Sequence, residues 1–161
     1  MAVNKNRLAG RAVTARDLGA ILTFWNSIPG MGLNESDTIP ALRAFLLRNP
    51  GLSLMVKSGN KVVGAVLCGH DGRRGYLHHL AVAAAFRGRG LGKAMVAECL
   101  KNLKILGIPR CNIFVFADDR KARGFWEKSG WKLRGDLLVM QSETREPAGC
   151  GGGCPGNCRG C

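Results

Sequence analysis

The feature that most constrains the fold is an abrupt change of pattern between residues 75 and 106. Residues 75–82 read as a β-strand, whereas from Leu91 to Leu106 apolar residues recur every three or four positions, which predicts a helix. The loop between them contains three glycines and three basic residues. Its sequence is Phe86-Arg87-Gly88-Arg89-Gly90-Leu91-Gly92-Lys93. Because a glycine turn at a helix start presents backbone N–H groups and a positive dipole end, the segment predicts an anion-binding site.

The charge of the chain agrees with an anionic partner. The net charge is +13, and residues 87–134 carry 12 basic against 4 acidic side chains. Nucleic acid ranks last among such partners, because the basic residues are not interleaved with aromatic ones. No apolar run approaches the roughly 18 residues that span a bilayer, and the first residues lack the apolar core of a signal peptide. We therefore expect a cytoplasmic protein without a membrane partner.

The remaining patterns predict one α/β domain at residues 1–143, followed by a Gly/Cys-rich tail at 144–161. Short turns join three strands in succession, so these should be antiparallel. The predicted strands lie near 8–13, 52–57, 61–69, 75–82, 111–116, 131–134 and 137–141, and the predicted helices at 15–26, 37–49, 91–106 and 119–129. This order favours a mixed, mostly antiparallel sheet with helices on both faces.

Two familiar phosphate-binding loops do not fit the glycine loop. A P-loop needs a glycine five residues before Gly92 and a Ser or Thr after the lysine, where this chain has Arg87 and Ala94. A dinucleotide-binding fingerprint needs a third glycine where Lys93 or Met95 stands. The remaining alternatives are a different phosphate loop or a tight turn with solvated cations.

Two motifs in the same order resemble the Gcn5-related N-acetyltransferase (GNAT) family. Arg87-x-x-Gly90-x-Gly92, placed after the strand that ends at Val82, resembles the acyl-CoA loop of that family. The stretch 122–131, Ala-Arg-Gly-Phe-Trp-Glu-Lys-Ser-Gly-Trp, is similar to its helix that ends in an aromatic residue, a Glu-Lys pair, a glycine and a second aromatic residue. The resemblance covers about residues 7–141 and implies a GNAT-like fold with acetyl-CoA as co-substrate.

The resemblance also implies how the co-substrate is held. Backbone amides of residues 88–93 bind the pyrophosphate, Arg87 opens the motif, and residues 80–82 pair with the pantetheine arm. A bulge should splay this strand from the next, so that the Leu80 N–H polarises the thioester carbonyl. The residues expected to bind acetyl-CoA are Leu80, Ala81, Val82, Arg87, Gly88, Arg89, Gly90, Leu91, Gly92, Lys93, Asp119 and Trp126.

The match departs from the family where proton transfer is expected. Trp126 stands at the position of a tyrosine acid, Phe114 at that of a glutamate base in some members, and Asp119 at that of a common asparagine. An indole N–H is no useful acid at neutral pH. These departures keep open an alternative, a catalytically impaired acyl-CoA-binding sensor or regulatory module.

Three residues of the strand are candidate catalytic groups. Strand alternation places Tyr76, His78 and Leu80 on one face, and residues 77, 79 and 81 on the other. We interpret His78 as the general base and Tyr76 as the group that orients the amine or donates to the thiolate. A hydrogen-bonded groove histidine remains the alternative for His78.

The seven cysteines form two groups. Cys68, Cys99 and Cys111 lie in apolar stretches and should be small core residues. The other four, Cys150, Cys154, Cys158 and Cys161, crowd into the last twelve residues. Four thiols at such spacing can hold zinc or an iron–sulfur centre, and a redox-sensitive tail that binds no metal stays equally open.

Together these observations predict an acetyl-CoA-dependent N-acetyltransferase. The acetyl group would pass to a primary amine of a small molecule or a protein, by direct attack within a ternary complex. The sequence leaves the identity of the acceptor open, and homodimerisation as well.

Overall fold

A computed structural model describes residues 10–144 and contains one five-stranded sheet in the order β1-β2-β3-β4-β5. The strands are β1 (Arg11–Ala12), β2 (Leu54–Ser58), β3 (Lys61–His70), β4 (Gly75–Val82) and β5 (Cys111–Ile113). Neighbouring strands are antiparallel except β4 and β5, which run parallel. The predicted mixed, mostly antiparallel sheet is therefore confirmed.

Four α-helices pack on the sheet, and local signals mark their ends. They are α1 (Leu18–Asn26), α2 (Ile39–Arg48), α3 (Leu91–Ile105) and α4 (Arg120–Lys128). A 3₁₀ turn precedes α1, and there the Thr14 N–H donates to the Asp17 carboxylate at 2.9 Å. Gly107 follows α3 in the left-handed conformation (φ 74°) that commonly ends a helix. Within residues 10–144, none of the helices has the length and hydrophobicity that crossing a membrane requires.

The helices lie on both faces of the sheet, as predicted, and bury a separate apolar cluster on each. Side chains of α1 and α2, including the fully buried Trp25, pack on one face against Met55 and Leu67. On the other face, α3 packs against Val66 and Leu77, and α4 contributes Trp126. Buried apolar area on both faces holds the sheet rigid, so the site can depend on fixed strand positions.

The cysteines of the described chain are free thiols. Cys68 and Cys99 are fully buried, which confirms them as core residues, and Cys111 is half-buried. The hydrogen bond of the Cys68 thiol to Cys99, together with burial, raises the pKa of Cys68, and burial raises the pKa of Cys111 to about 12. The thiols of Cys68 and Cys111 are therefore protonated at neutral pH. The four cysteines of the predicted tail lie outside the described residues, and the boundary at residue 143 stays a prediction.

The chain after α4 differs from expectation. The strands predicted at 131–134 and 137–141 are wrong, because residues 131–144 form no strand. Leu138 and Met140 are 92% and 94% exposed. An apolar run becomes a strand only where a neighbouring edge supplies hydrogen bonds. In this structure β5 ends at Ile113 instead of residue 116 and pairs only with β4.

Candidate functional site

A β-bulge interrupts β4 near its middle. Ala81 pairs with Ala65 of β3 and His78 pairs with Leu67, so His79 and Leu80 together lie opposite a single residue. The extra residue is accommodated by His79, whose φ of 53° is the only left-handed one among the described non-glycine residues. The bulge that the family resemblance implied is therefore present.

The bulge changes which side chains share a face of the sheet. Leu77 and Leu80 both pack on the face of α3, whereas Ala81 joins the cluster under α1 and α2. One extra residue shifts the alternation by one position. The prediction that Leu80 shares a face with Tyr76 and His78 is therefore wrong, and so is the grouping of Leu77 with Ala81.

Among the strands of residues 10–144, only β3 pairs with β4 beyond Leu77. The pairing of β4 with β5 covers Gly75–Leu77, opposite Cys111–Ile113, and ends there. From His78 to Val82 the register shows pairing with β3 alone. The edge of β4 that faces away from β3 is thus left open over the residues expected to meet the pantetheine arm, and an extended ligand can pair with such an edge.

The glycine turn between β4 and α3 has the expected left-handed geometry. Gly88 and Gly90 have φ values of 73° and 79°, and Gly90 is the N-cap of α3. A Cβ on either would meet no atom within 4 Å, so the backbone conformation, not lack of space, requires glycine there. Gly92 lies closer to its neighbours, since a Cβ would be 3.5 Å from the ring of Phe125 and 3.6 Å from Val82.

The basic residues of this turn have different surroundings. The Nε of Arg87 donates to the carbonyl of Val82 at 2.9 Å and so ties the turn to the end of β4. The guanidinium of Arg89 lies 5.5 Å from the ring centre of Phe86. Lys93 is exposed in the first turn of α3, next to Gly92 and Leu91. Arg89 and Lys93 form no ion pair with a described carboxylate, so their charge is available to an anion at the helix start.

A cleft of about 560 Å³ lies between α2 and β4, on the face of the sheet that α1 and α2 cover. Its lining combines apolar side chains of α2 with polar groups from the loop before α2 and from β4. The lining residues are Asn34, Ser36, Asp37, Ala41, Leu42, Ala44, Phe45, Arg48, Leu67, His78 and His79. Such a mixture suits a small organic group held by a few polar contacts.

His78 is the predicted base, and the structure places it in this cleft. Its ring lies edge-on to Phe45 and stacked with Tyr76, each with a centre distance of 6.2 Å. Burial lowers the pKa of His78, and the charge of His79 lowers it further, while Asp37 opposes both. The imidazole is therefore neutral at neutral pH, the form that can accept a proton.

Sequence reasoning missed a hydrogen bond beside His78, between His79 and Asp37. The Nε2 of His79 and the Oδ1 of Asp37 lie 2.7 Å apart, with side chains 16% and 8% exposed. The ring of His79 also tilts against Trp25 at a centre distance of 5.1 Å. Regular alternation would have turned His79 away from His78. No motif in the sequence links Asp37 to a strand 42 residues later.

Asp119 and Trp126, which are both predicted to bind acetyl-CoA, lie at the start of α4 and within it. The Oδ1 of Asp119 accepts the Ala122 N–H at 2.9 Å, so this residue caps α4. Trp126 packs edge-to-face on Trp131 and Phe125 at 4.9 Å and 5.1 Å. Phe114, at the position of a family glutamate, is 62% exposed. The structure thus brings Tyr76 and His78 together, whereas Leu80 adjoins them through its backbone alone.

Comparison with known proteins points to one group of enzymes. The family model described as acetyltransferase (GNAT) family matches residues 20–131. An acetyltransferase of Yersinia enterocolitica is 33% identical over 94 residues, which is 58% of this chain and 67% of that protein.

Solved structures agree on the fold. Ard1 from Thermoplasma volcanium superposes with a TM-score of 0.68 at 16% identity and covers 78% of this chain and 83% of its own. The PaiA N-acetyltransferase from Thermoplasma acidophilum, solved in complex with coenzyme A, gives 0.67 at 17% identity over 78% of this chain and 90% of that one. At such identities the likeness establishes a shared fold.

Proposed function

Because the chain belongs to the acetyltransferase (GNAT) family, we propose that it transfers the acetyl group of acetyl-CoA to a primary amine of a small molecule or a protein. The observation that carries this proposal is the form of β4. The strand is bulged, open along one edge beyond Leu77, and followed by a glycine turn that starts α3. The edge of β4 is thus available to an extended arm, the turn after β4 to a diphosphate, and the cleft between β4 and α2 to an acceptor.

The proposed binding of acetyl-CoA uses backbone more than side chains. The N–H groups of residues 88–93 hold the pyrophosphate, and Arg89 and Lys93 add positive charge. The main chain of residues 80–82 pairs with the pantetheine arm along the open edge of β4. Two left-handed glycines at 88 and 90 support this arrangement, because they let the backbone turn its amides toward one point.

In the proposed reaction the amine attacks the thioester carbon directly. The N–C bond forms, the carbonyl oxygen gains negative charge, and the Leu80 N–H stabilises that charge. The C–S bond then breaks and coenzyme A leaves as a thiolate. His78 takes the proton that the amine loses, and Tyr76 orients the amine or gives a proton to the thiolate. The neutral state of His78 supports its part in this scheme.

A second candidate function is an acyl-CoA sensor with impaired catalysis. It is favoured by Phe114 and Trp126, which stand where members of the family carry a base and an acid. Neither side chain can move a proton at neutral pH. In this alternative the acetyl-CoA site is intact and turnover is absent.

Two measurements on the purified protein test these candidates. Titration calorimetry with acetyl-CoA measures binding, and release of free thiol in the presence of a panel of primary amines measures transfer. Binding with amine-dependent thiol release supports the transferase, whereas binding without release supports the sensor. A titration that produces no heat, together with no thiol release, contradicts both.

A further inference from the structure

One hydrogen bond joins the loop before α2 to the bulge of β4. Asp37 lies in that loop, one residue before Thr38, the N-cap of α2, and pairs with His79 at 2.7 Å. The same loop borders the cleft through Asn34 and Ser36. The acceptor side of the site is thus connected to the strand that would hold the thioester.

The carboxylate of Asp37 is itself held in place. Its Oδ2 accepts the backbone N–H of Asn34 at 2.8 Å, while its Oδ1 meets His79. In addition, the Asp37 N–H donates to the carbonyl of Asn34 at 3.0 Å. Since its side chain is only 8% exposed, water competes little for these bonds, and a charge-assisted bond shielded in this way is stronger than a surface one.

His79 needs an outside partner because its own backbone conformation is unfavourable. A left-handed φ is uncommon for a residue with a Cβ and persists where the surroundings hold it. The carboxylate of Asp37 and the ring of Trp25 contact the imidazole of His79, and the ring centre of His78 lies 6.4 Å from that of His79. The next residue is Leu80, so the angle of the 79–80 peptide sets the direction of the Leu80 N–H.

We infer that Asp37 and His79 are positioning residues for acetyl transfer: their hydrogen bond fixes the bulge against the loop before α2 and so aims the Leu80 N–H. This inference rests on the proposed function, in which that N–H polarises the thioester carbonyl. Binding of acetyl-CoA depends mainly on the glycine turn and the open strand edge. Loss of the bond should therefore lower kcat and leave the affinity for acetyl-CoA unchanged.

The test uses His79→Gly, Asp37→Ala and the double variant. Glycine adopts the left-handed conformation freely, so His79→Gly keeps the bulge accessible and removes the imidazole, with its bond to Asp37 and its contact with Trp25. We expect each single variant to lose about tenfold in kcat, as an oxyanion donor loses its alignment, and the double variant to lose no more than either. The dissociation constant of acetyl-CoA and the melting temperature serve as the readouts of folding. His70→Ala is the matched control, since His70 lies at the end of β3 and accepts only the Gly72 N–H there.

Four outcomes would overturn the inference. The first is a wild-type kcat in His79→Gly, which would mean that the backbone conformation suffices. Another is a double variant whose losses add, which would show that the two residues act separately. If His79→Gly fails to fold, Asp37→Ala alone decides, and a wild-type kcat in that variant counts against the inference. A wild-type protein that binds acetyl-CoA but releases no thiol contradicts the proposed transfer itself and the inference with it.

Discussion

The glycine turn before α3 and the histidine pair on β4 lie only a few residues apart, yet different forces shape them. The turn depends on the φ angles of Gly88 and Gly90, a property of those residues alone. The positions of His78 and His79 depend on the register with β3 and on Asp37, which is distant in the chain. A site can thus combine a half that local rules determine with a half that only tertiary pairing determines.

The largest expected effect is on the affinity for acetyl-CoA, from a substitution in the glycine turn. Gly90→Asp places a β-carbon at a φ of 79° and a negative charge at the start of α3, where the pyrophosphate is proposed to bind. We expect the affinity for acetyl-CoA to fall by about a hundredfold or more, as calorimetry would measure.

Gly107→Asp is the matched control for this change. Gly107 has a φ of 74° and the same open surroundings, but it lies at the other end of α3. The control should lose stability without losing affinity. Equal losses of affinity in both variants would attribute the effect to the helix and not to the turn.

The next largest effect belongs to the half that tertiary pairing determines. His78→Ala should lower kcat about a hundredfold at neutral pH and leave the affinity for acetyl-CoA unchanged. Because the pKa of His78 is lowered from its usual 6.5, the wild-type rate should fall only below that pH, as the imidazole gains a proton. The deficit of the variant should therefore shrink in acid. A pH–rate profile that keeps the same acidic limb in His78→Ala would remove His78 as the base.

A smaller effect is expected for Tyr76→Phe. The variant keeps the ring that stacks on His78 at 6.2 Å and on Phe114 at 6.4 Å, and it loses only the hydroxyl. If the hydroxyl donates a proton to the thiolate, its loss should lower kcat about tenfold. If it orients the amine, its loss should raise KM for the amine. Steady-state kinetics with varied amine separates these roles, and unchanged values of both constants would exclude them.

The smallest effect on activity is expected for Asp17, which lies outside both the glycine turn and the histidine pair. Asp17 bonds to Arg11 and Thr14 beside the start of α1, and the bond from Arg11 lowers its pKa most. Since the folded pKa is depressed, this stabilisation is present above about pH 4 and lost as pH falls through the folded value. Asp17→Asn should lower the free energy of unfolding by about 1 kcal/mol at neutral pH and flatten its decline in acid.

Urea unfolding at several pH values would measure this difference. The kcat of Asp17→Asn should equal that of the wild type, because the residue contacts neither the turn nor the cleft. A loss of activity without a loss of stability would mean that Asp17 influences the glycine turn or the histidine pair, although it contacts neither.

The contrast between the halves also explains what could be predicted from sequence. Helix periodicity and glycine turns located α1 to α4 and the loop at 87–93, because these signals span a few neighbouring residues. The faces of Leu80 and Ala81 were wrong, since a bulge has no marker in the strand itself. The hydrogen bond between Asp37 and His79 depends on residues that are distant in the sequence, which no local pattern indicates. The same is true of whether the apolar residues after α4 find a strand to pair with.

The bulge has a consequence for reading related chains. Deletion of His79 would restore an unbroken pleat and keep Leu80 and Ala81 in their present layers, whereas a regular strand of unchanged length would move both to the opposite layers. A homologue with one histidine and no bulge at this point would therefore present the same residues to the same layers. A single gap at His79 keeps the alignment of two such chains in phase on both sides of the bulge.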